Sequence, residues 1–305
     1  MNIKSILYSA LFTLSLCACK KEEARISNNL VFTIHFDPMQ DRLDNLGQPS
    51  QLPIGHAAQT PTFRKMSIHY IELAQNAFVP LGGGAILYQG KETTKGGENA
   101  VDFDQANTVG DGEEFVTISL KNVPPGSYEW VRTSVTYQQY DIKYNLQNIP
   151  VIGALTNQVG SISSFVGFNT YISEVTPNQQ AIVVNENKKQ GFWAFETLFA
   201  APYQAYNSVY SGQAPVSATT VVNPIFDTSP VPPGSCVVTG KFSSPLLVTG
   251  KERSDLKVKL SFSINDSFEW KEEIANGQLD FFADDATKNE RIVDMGLRGL
   301  VPSWD

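Results

Sequence analysis

The side chains of widest chemical reach in this chain are three histidines, two groups of carboxylates and one downstream cysteine. Imidazole holds soft metals, while carboxylates hold hard ones or work as acid–base pairs. His35 and His69 stand in alternating, strand-like sequence, each opposite large apolar neighbours (Phe32 and Ile34; Met66 and Ile68). If their strands pair, both imidazoles face one surface, where copper could be held. If not, they are two unrelated surface or rim histidines, and His56 lies in a loop. Asp102, Asp104 and Asp111, with Glu113 and Glu114, crowd one glycine-bearing stretch, and Asp280, Asp284 and Asp285 crowd another. Either could offer oxygens to calcium, although neither has EF-hand spacing, and the alternative is a plain solvated loop. Cys236 opens a strand-like run and reads as a core thiol, because no base accompanies it in any motif.

Other chemistries leave no mark. There is no Gly-x-Ser-x-Gly and no His-Glu-x-x-His. The stretch Gly84 to Lys91 fails as a phosphate loop: five residues separate its glycines, and Glu92 stands where a magnesium-binding hydroxyl belongs. A catalytic carboxylate pair is defined in space and leaves no spacing to find. Aromatics are the remaining binding candidates. Tyr203, Tyr206 and Tyr210 fall in loop-like sequence and suit stacking on a glycan or protein partner, whereas Tyr128, Trp130, Tyr137, Tyr140 and Tyr144 suit core packing as well.

The sharpest motif is at the start. Lys4 precedes an apolar run over residues 6–16, too short to span a bilayer. Leu16-Cys17-Ala18-Cys19 resembles a bacterial lipobox, with Leu16 three residues before Cys19 and Ala18 just before it; Cys17 fits less well, with bulky Leu16 adjacent. Residues 1–18 are thus expected to be a lipoprotein signal peptide and Cys19 the lipidated first residue, held by several acyl chains at about 0.8 kcal/mol per buried methylene. Lys21, Glu22 and Glu23 follow in a charged run that resembles the export signal of Bacteroidota surface lipoproteins; otherwise the run is a solvated tether. Residues 19–28 have little apolar content and read as flexible.

Charge narrows the partners. Losing Lys4 from the 23 basic residues leaves them outnumbered by 31 acidic ones, a net charge near −9 against −8 for the whole chain. No basic tract exists, so nucleic acid is not an expected partner, and the lipid alone would hold an acidic body to a membrane. Cys19 and Cys236 would be the cysteines left after processing, and with the first acylated no intramolecular disulfide is expected.

These groups must be positioned by strands. Residues 29–36, 64–74 and 256–264 alternate apolar and polar, the last over five apolar positions at strict period two. Val123-Pro124-Pro125-Gly126 is a tight turn into a Tyr-, Trp- and Val-rich strand. Residues 180–185 and 191–197 read as the two arms of a hairpin, 200–235 and 267–289 as loop, and Pro302 as the stop of a final short element. No amphipathic helical run stands out. The expected fold is all-β: an antiparallel β-sandwich with long loops over residues 29–305, preceded by the lipidated tether. The Gly- and Ser-laden stretch 140–171 reads as an insertion or loop pair, and a sub-domain boundary is placed within 140–235.

Phe36-Asp37, the strand 68–73, Val123 to Tyr128 and Gly191 to Glu196 together resemble the methanobactin-associated periplasmic protein (MbnP-like) family. The resemblance implies a secreted β-sandwich and, in some members, copper held through histidine. The leading functional expectation is a non-catalytic outer-membrane lipoprotein on the cell surface, binding a ligand, glycan, protein partner or outer-membrane receptor. The alternatives are placement on the periplasmic face, a metal-binding protein of the copper-handling type, and a glycan hydrolase with an unrecognised carboxylate pair.

Overall fold

A computed structural model describes residues 28–44, 46–167, 169–214 and 236–305. The signal peptide, Cys19, Lys21, Glu22 and Glu23 lie outside the described residues. Within them the chain is all-β and sandwich-like, with helix only as single 3₁₀ turns. In chain order the strands are β1 (Asn29–Asp37), β2 (His56–Gln59), β3 (Thr62–Ala74), β4 (Ala85–Gln89), β5 (Glu92–Thr93), β6 (Ala100–Asp102), β7 (Glu114–Ser119), β8 (Gly126–Ile149), β9 (Gly153–Phe165) and β10 (Asn169–Val175). There follow β11 (Ile182–Lys189), β12 (Phe192–Thr197), β13 (Val209–Gln213), β14 (Cys236–Val248), β15 (Leu256–Ser263), β16 (Phe268–Lys271), β17 (Asp280–Phe282), β18 (Arg291–Met295) and β19 (Leu300–Trp304).

The clean alternation of β1 and β15 does what period two requires. Leu30, Phe32, Ile34 and Phe36 turn inward with Val258, Leu260 and Phe262, in a sheet ordered β19-β15-β1-β7. They meet Met66, Ile68, Leu73, Val131, Val135 and Val238 of a larger sheet ordered β13-β12-β9-β8-β3-β4, with β14 and β17 also on β8. Each large side chain fully buried there contributes about 1.5–3 kcal/mol. The sheets are not purely antiparallel: β1 with β15, β6 with β10 and β17 with β8 run parallel.

The 24-residue β8 is the spine. One edge pairs first with β14 (Val135 opposite Cys236) and then with β9 (Tyr137 opposite Phe165). Its other edge pairs with β3 and then β17. The tight turn expected before it is closed by the Tyr128 hydroxyl, which donates to the Pro124 carbonyl at 2.6 Å.

Several expectations are corrected. Residues 140–171 are no loop pair: β8 passes position 140 without a break and forms a long hairpin with β9. Gly160 in β9 reflects crowding, since a Cβ there would sit 2.2 Å from the Phe195 ring. Residues 182–189 and 192–197 are strands but not a hairpin, because β11 pairs with β10 while β12 pairs with β9 and β13. The acidic stretch 267–289 contains β16, whose Phe268 and Trp270 are fully buried in a second apolar cluster. Pro302 lies inside β19, an edge strand, where its missing N–H costs no ladder bond.

The two main sheets touch where β14 crosses β19. A Cβ on Gly240 would lie 2.6 Å from both the Leu300 carbonyl oxygen and Pro302 Cδ. Backbone cannot yield there, so Gly240→Ala is expected to lower stability by about 1–3 kcal/mol, read as a lower denaturation midpoint with an unchanged slope.

Candidate functional site

The two histidines are not brought together, because their strands do not pair. His35 lies on β1 in the smaller main sheet, with Nδ1 3.7 Å from Asp111 Oδ1. Partial burial and then the Lys259 charge lower its pKa, against a smaller upward pull from Asp111. His69 lies on β3 in the larger sheet, only 2% exposed, with Nε2 3.1 Å from Glu92 Oε1 and Nδ1 buried without a partner. Burial holds its pKa down more strongly than Glu92 raises it. The joint copper site expected of His35 and His69 is therefore not formed by this geometry.

The calcium set is likewise dispersed. Asp111 Oδ1 accepts the Phe36 N–H at 2.8 Å, Asp104 Oδ1 accepts the Ser173 hydroxyl at 2.6 Å, and Asp102 is buried on β6. Asp111 and Asp104 serve different segments, and Asp102 Oδ1 is buried without a partner. Asp280, in the second acidic stretch, is taken up by Asn145, Gln147 and Asn276. Among the described residues no group of three or more His, Cys, Asp or Glu side chains is placed to hold a metal ion. Cys236 is fully buried, and burial pushes its thiol pKa up, as a core thiol requires.

The tyrosines divide. Tyr203 is half-buried and Tyr206 is 70% exposed, both in the loop before β13. Tyr210 is 55% exposed and pairs directly across from Phe195, which puts the two on one face of the sheet. That face carries the concavity of most interest.

Strand β12 is apolar on both sides. Phe192 and Ala194 pack towards β10 and β11, while Trp193 and Phe195 turn the opposite way. Ile142 of β8 and Ile162 of β9 share the face of Trp193 and Phe195, and β16 to β18 cover only part of it. Among the described residues the cover stops between β12 and β18, leaving a cleft of about 420 Å³ walled chiefly by Ile142, Ile162, Trp193, Phe195, Ile292 and Met295. This volume suits a small organic molecule, and apolar walls with few polar groups are the usual make-up of such sites.

Asp294, on β18, is the ionisable group in that lining. Its Oδ2 lies 2.8 Å from an Arg298 guanidinium nitrogen, and its Oδ1 is buried without a partner. Arg298 also reaches Glu269 Oε2 at 2.9 Å, as does Arg42, and His56 Nδ1 lies 2.6 Å from Glu269 Oε1. Two guanidiniums thus face two carboxylates. Burial would raise the Glu269 pKa, but the hydrogen bonds from His56 and Arg42 outweigh it and hold the pKa below the usual carboxylate value. Asp294 has fewer partners, and burial pushes its pKa up to about 6 in spite of Arg298.

The contrast with other buried carboxylates is informative. Glu196 Oε2 accepts three consecutive N–H groups, from Asn178, Gln179 and Gln180, at 2.8–3.1 Å. Glu290 accepts those of Glu273, Ile274 and Asp280, and Glu72 accepts those of Gly82 and Gly84 with the Tyr70 hydroxyl. These acids pin loops and are satisfied. Asp294 Oδ1, like Asp102 Oδ1, is buried without a partner, closed off from the cleft that Asp294 borders. Sequence reading missed it, because a lone Asp in a short strand carries no motif. The alternation Trp193-x-Phe195 was the available signal, and it became meaningful only once β18 stood opposite. Compared with known proteins, the chain matches no family model, no curated protein and no solved structure.

Proposed function

We propose that this protein is a lipid-anchored binding module of the outer membrane, displayed at the cell surface, whose β-sandwich body holds a small apolar ligand in the cleft between β12 and β18. The cleft is the observation that carries the binding half of this reading. Its walls are mostly hydrocarbon and aromatic, with Gln213 and Asn289 as amides, and among the described residues the one carboxyl in its lining, Asp294, is engaged by Arg298. That supports holding a molecule over transforming one. The lipobox-like Leu16 to Cys19 and the run Lys21-Glu22-Glu23 support the anchored, exported half.

Each half has its own test. Cys19→Ala is expected to abolish labelling by a fatty-acid analogue and to release the protein from the membrane pellet; continued sedimentation with membranes would refute lipidation there. Replacing Lys21, Glu22 and Glu23 together by alanine is expected to keep the label but remove access to protease added to intact cells. Undiminished cleavage would mean that these residues are only a tether. Binding is tested by titrating the purified mature chain with small aromatic probes, expected to shift the melting temperature upward. Absence of any shift would defeat the cleft reading.

A further inference from the structure

Resting on that reading of the cleft, we infer that its ligand is an uncharged planar ring system that stacks on Trp193, and that Gly212 is the residue that makes Trp193 a platform. Side chains on a strand ordinarily stand roughly perpendicular to the sheet. Trp193 does not. It lies directly across from Gly212 of β13, and a Cβ on Gly212 would sit 2.5 Å from Cζ2 and 2.8 Å from Cε2 of the indole. The ring thus fills the place of its neighbour's side chain. Phe195 leans the other way, since a Cβ on Gly160 of β9 would sit 2.2 Å from its Cε2. Two rings at alternate positions of β12 are laid down over the strands on either side, and a glycine at each place permits it. The room that upright rings would fill is left open against Ile292 and Met295 of β18, as the cleft.

An aromatic floor facing aliphatic side chains is filled best by a flat body, in offset stacking. Phe195 already meets the Tyr144 ring edge-on, with centroids 5.6 Å apart. Trp193 has no such ring partner among the described residues, so the stack falls to its face. The polar part of the lining is already engaged. Gln213 Nε2 donates to the Gln190 carbonyl at 2.8 Å, Asn289 Oδ1 accepts the Phe282 N–H at 2.7 Å, and Asp294 is paired with Arg298. A charged ligand would enter a largely apolar place with no counter-charge left to meet it, and a neutral ring escapes that cost.

The test titrates the full mature chain with 2-naphthol, decahydro-2-naphthol and 2-naphthoate at pH 7.5 by calorimetry. The first two share a carbon skeleton and a hydroxyl, but one is flat and aromatic and the other puckered and saturated. Naphthol is expected to bind about threefold to tenfold more tightly than its saturated analogue, the margin that aromatic stacking adds beyond burial, and naphthoate the most weakly. In Gly212→Ala the new methyl pushes the indole off β13, and the preference for the flat compound is expected to fall to within about twofold. Trp193→Leu keeps an apolar wall but removes the ring, so the same fall is expected, and it decides the point should Gly212→Ala not fold. Equal or tighter binding of decahydro-2-naphthol to the unaltered chain would overturn the inference and leave the cleft standing. Tighter binding of naphthoate, or a preference unchanged in either variant, would also overturn it. If none of the three binds, the cleft reading itself fails.

Discussion

Glu269→Gln is expected to destabilise the fold by about 3–5 kcal/mol, seen as a lower urea midpoint with an unchanged slope. Glu269 is 5% exposed and joins Arg42, Arg298 and His56 at 2.6–2.9 Å, tying β16 to the loop after β1, to the start of β2 and to the segment before β19. Glutamine keeps the shape but removes the charge, leaving two largely buried guanidiniums to share Asp294. Removing one member of a buried ionic group is far worse than never having built it, because the survivors stay desolvated. The acid dependence follows. The folded pKa of Glu269 lies below its unfolded value, so its contribution is present above the unfolded pKa, near 4.3, and is lost as pH falls through the folded one. Glu269→Gln should lose that part of the acid sensitivity. A change under about 1 kcal/mol would mean that water already solvates the two arginines.

Asp294→Asn, one residue pair away, is expected to act in the opposite direction and stabilise the unliganded protein by about 2–3 kcal/mol at pH 7.5. Burial lifts the folded pKa to about 6, above the ordinary aspartate value of 3.8. A carboxyl with a raised pKa contributes fully below its unfolded pKa, and that contribution is lost as pH rises through the folded one. At about 1.36 kcal/mol per unit, ionising Asp294 costs up to about 3 kcal/mol at neutral pH. Asparagine imitates the neutral form and avoids that cost. The stabilisation should fade towards zero between pH 6 and pH 4, measured as the difference in unfolding free energy between the two proteins. A variant that is less stable at pH 7.5, or a difference flat across this range, would show that Arg298 fully compensates the charge. The opposite signs expected for Glu269 and Asp294 separate a group that holds the fold from one retained at a cost to stability.

What the chain's residues determined alone was the class and the strongest strands. Strict alternation in 29–36 and 256–264 must bury one face, so those segments became the inner layer of the sandwich. The turn before Tyr128 was likewise local, since proline and glycine specify it without help. The proposed anchor at Cys19 is a sequence statement throughout, resting on Leu16, Ala18 and the charge that follows. Pairing was decided elsewhere. Nothing within β11 or β12 says that adjacent strands join different sheets, because register depends on which apolar face finds cover. Gly160 of β9 looked like a loop residue because the reason for its small size, the Phe195 ring, comes from another strand.

The same division runs through the sites. His35 and His69 are alike in sequence context, but β1 and β3 belong to different sheets, so topology rather than residue type separates them. Asp102, Asp104 and Asp111 are neighbours along the chain, but Asp104 and Asp111 hold different strands and Asp102 is buried on β6 with Oδ1 unpartnered. Asp294 has Glu290, Arg291 and Arg298 within four residues along the chain, and nothing in that spacing marks Arg298 as its partner. Its burial, its unpartnered oxygen and the aromatic wall opposite arise only when β18 packs across the far half of β8, β9 and β12. A cleft is the space between elements that no one element encodes, and for that reason only the tertiary structure could disclose it.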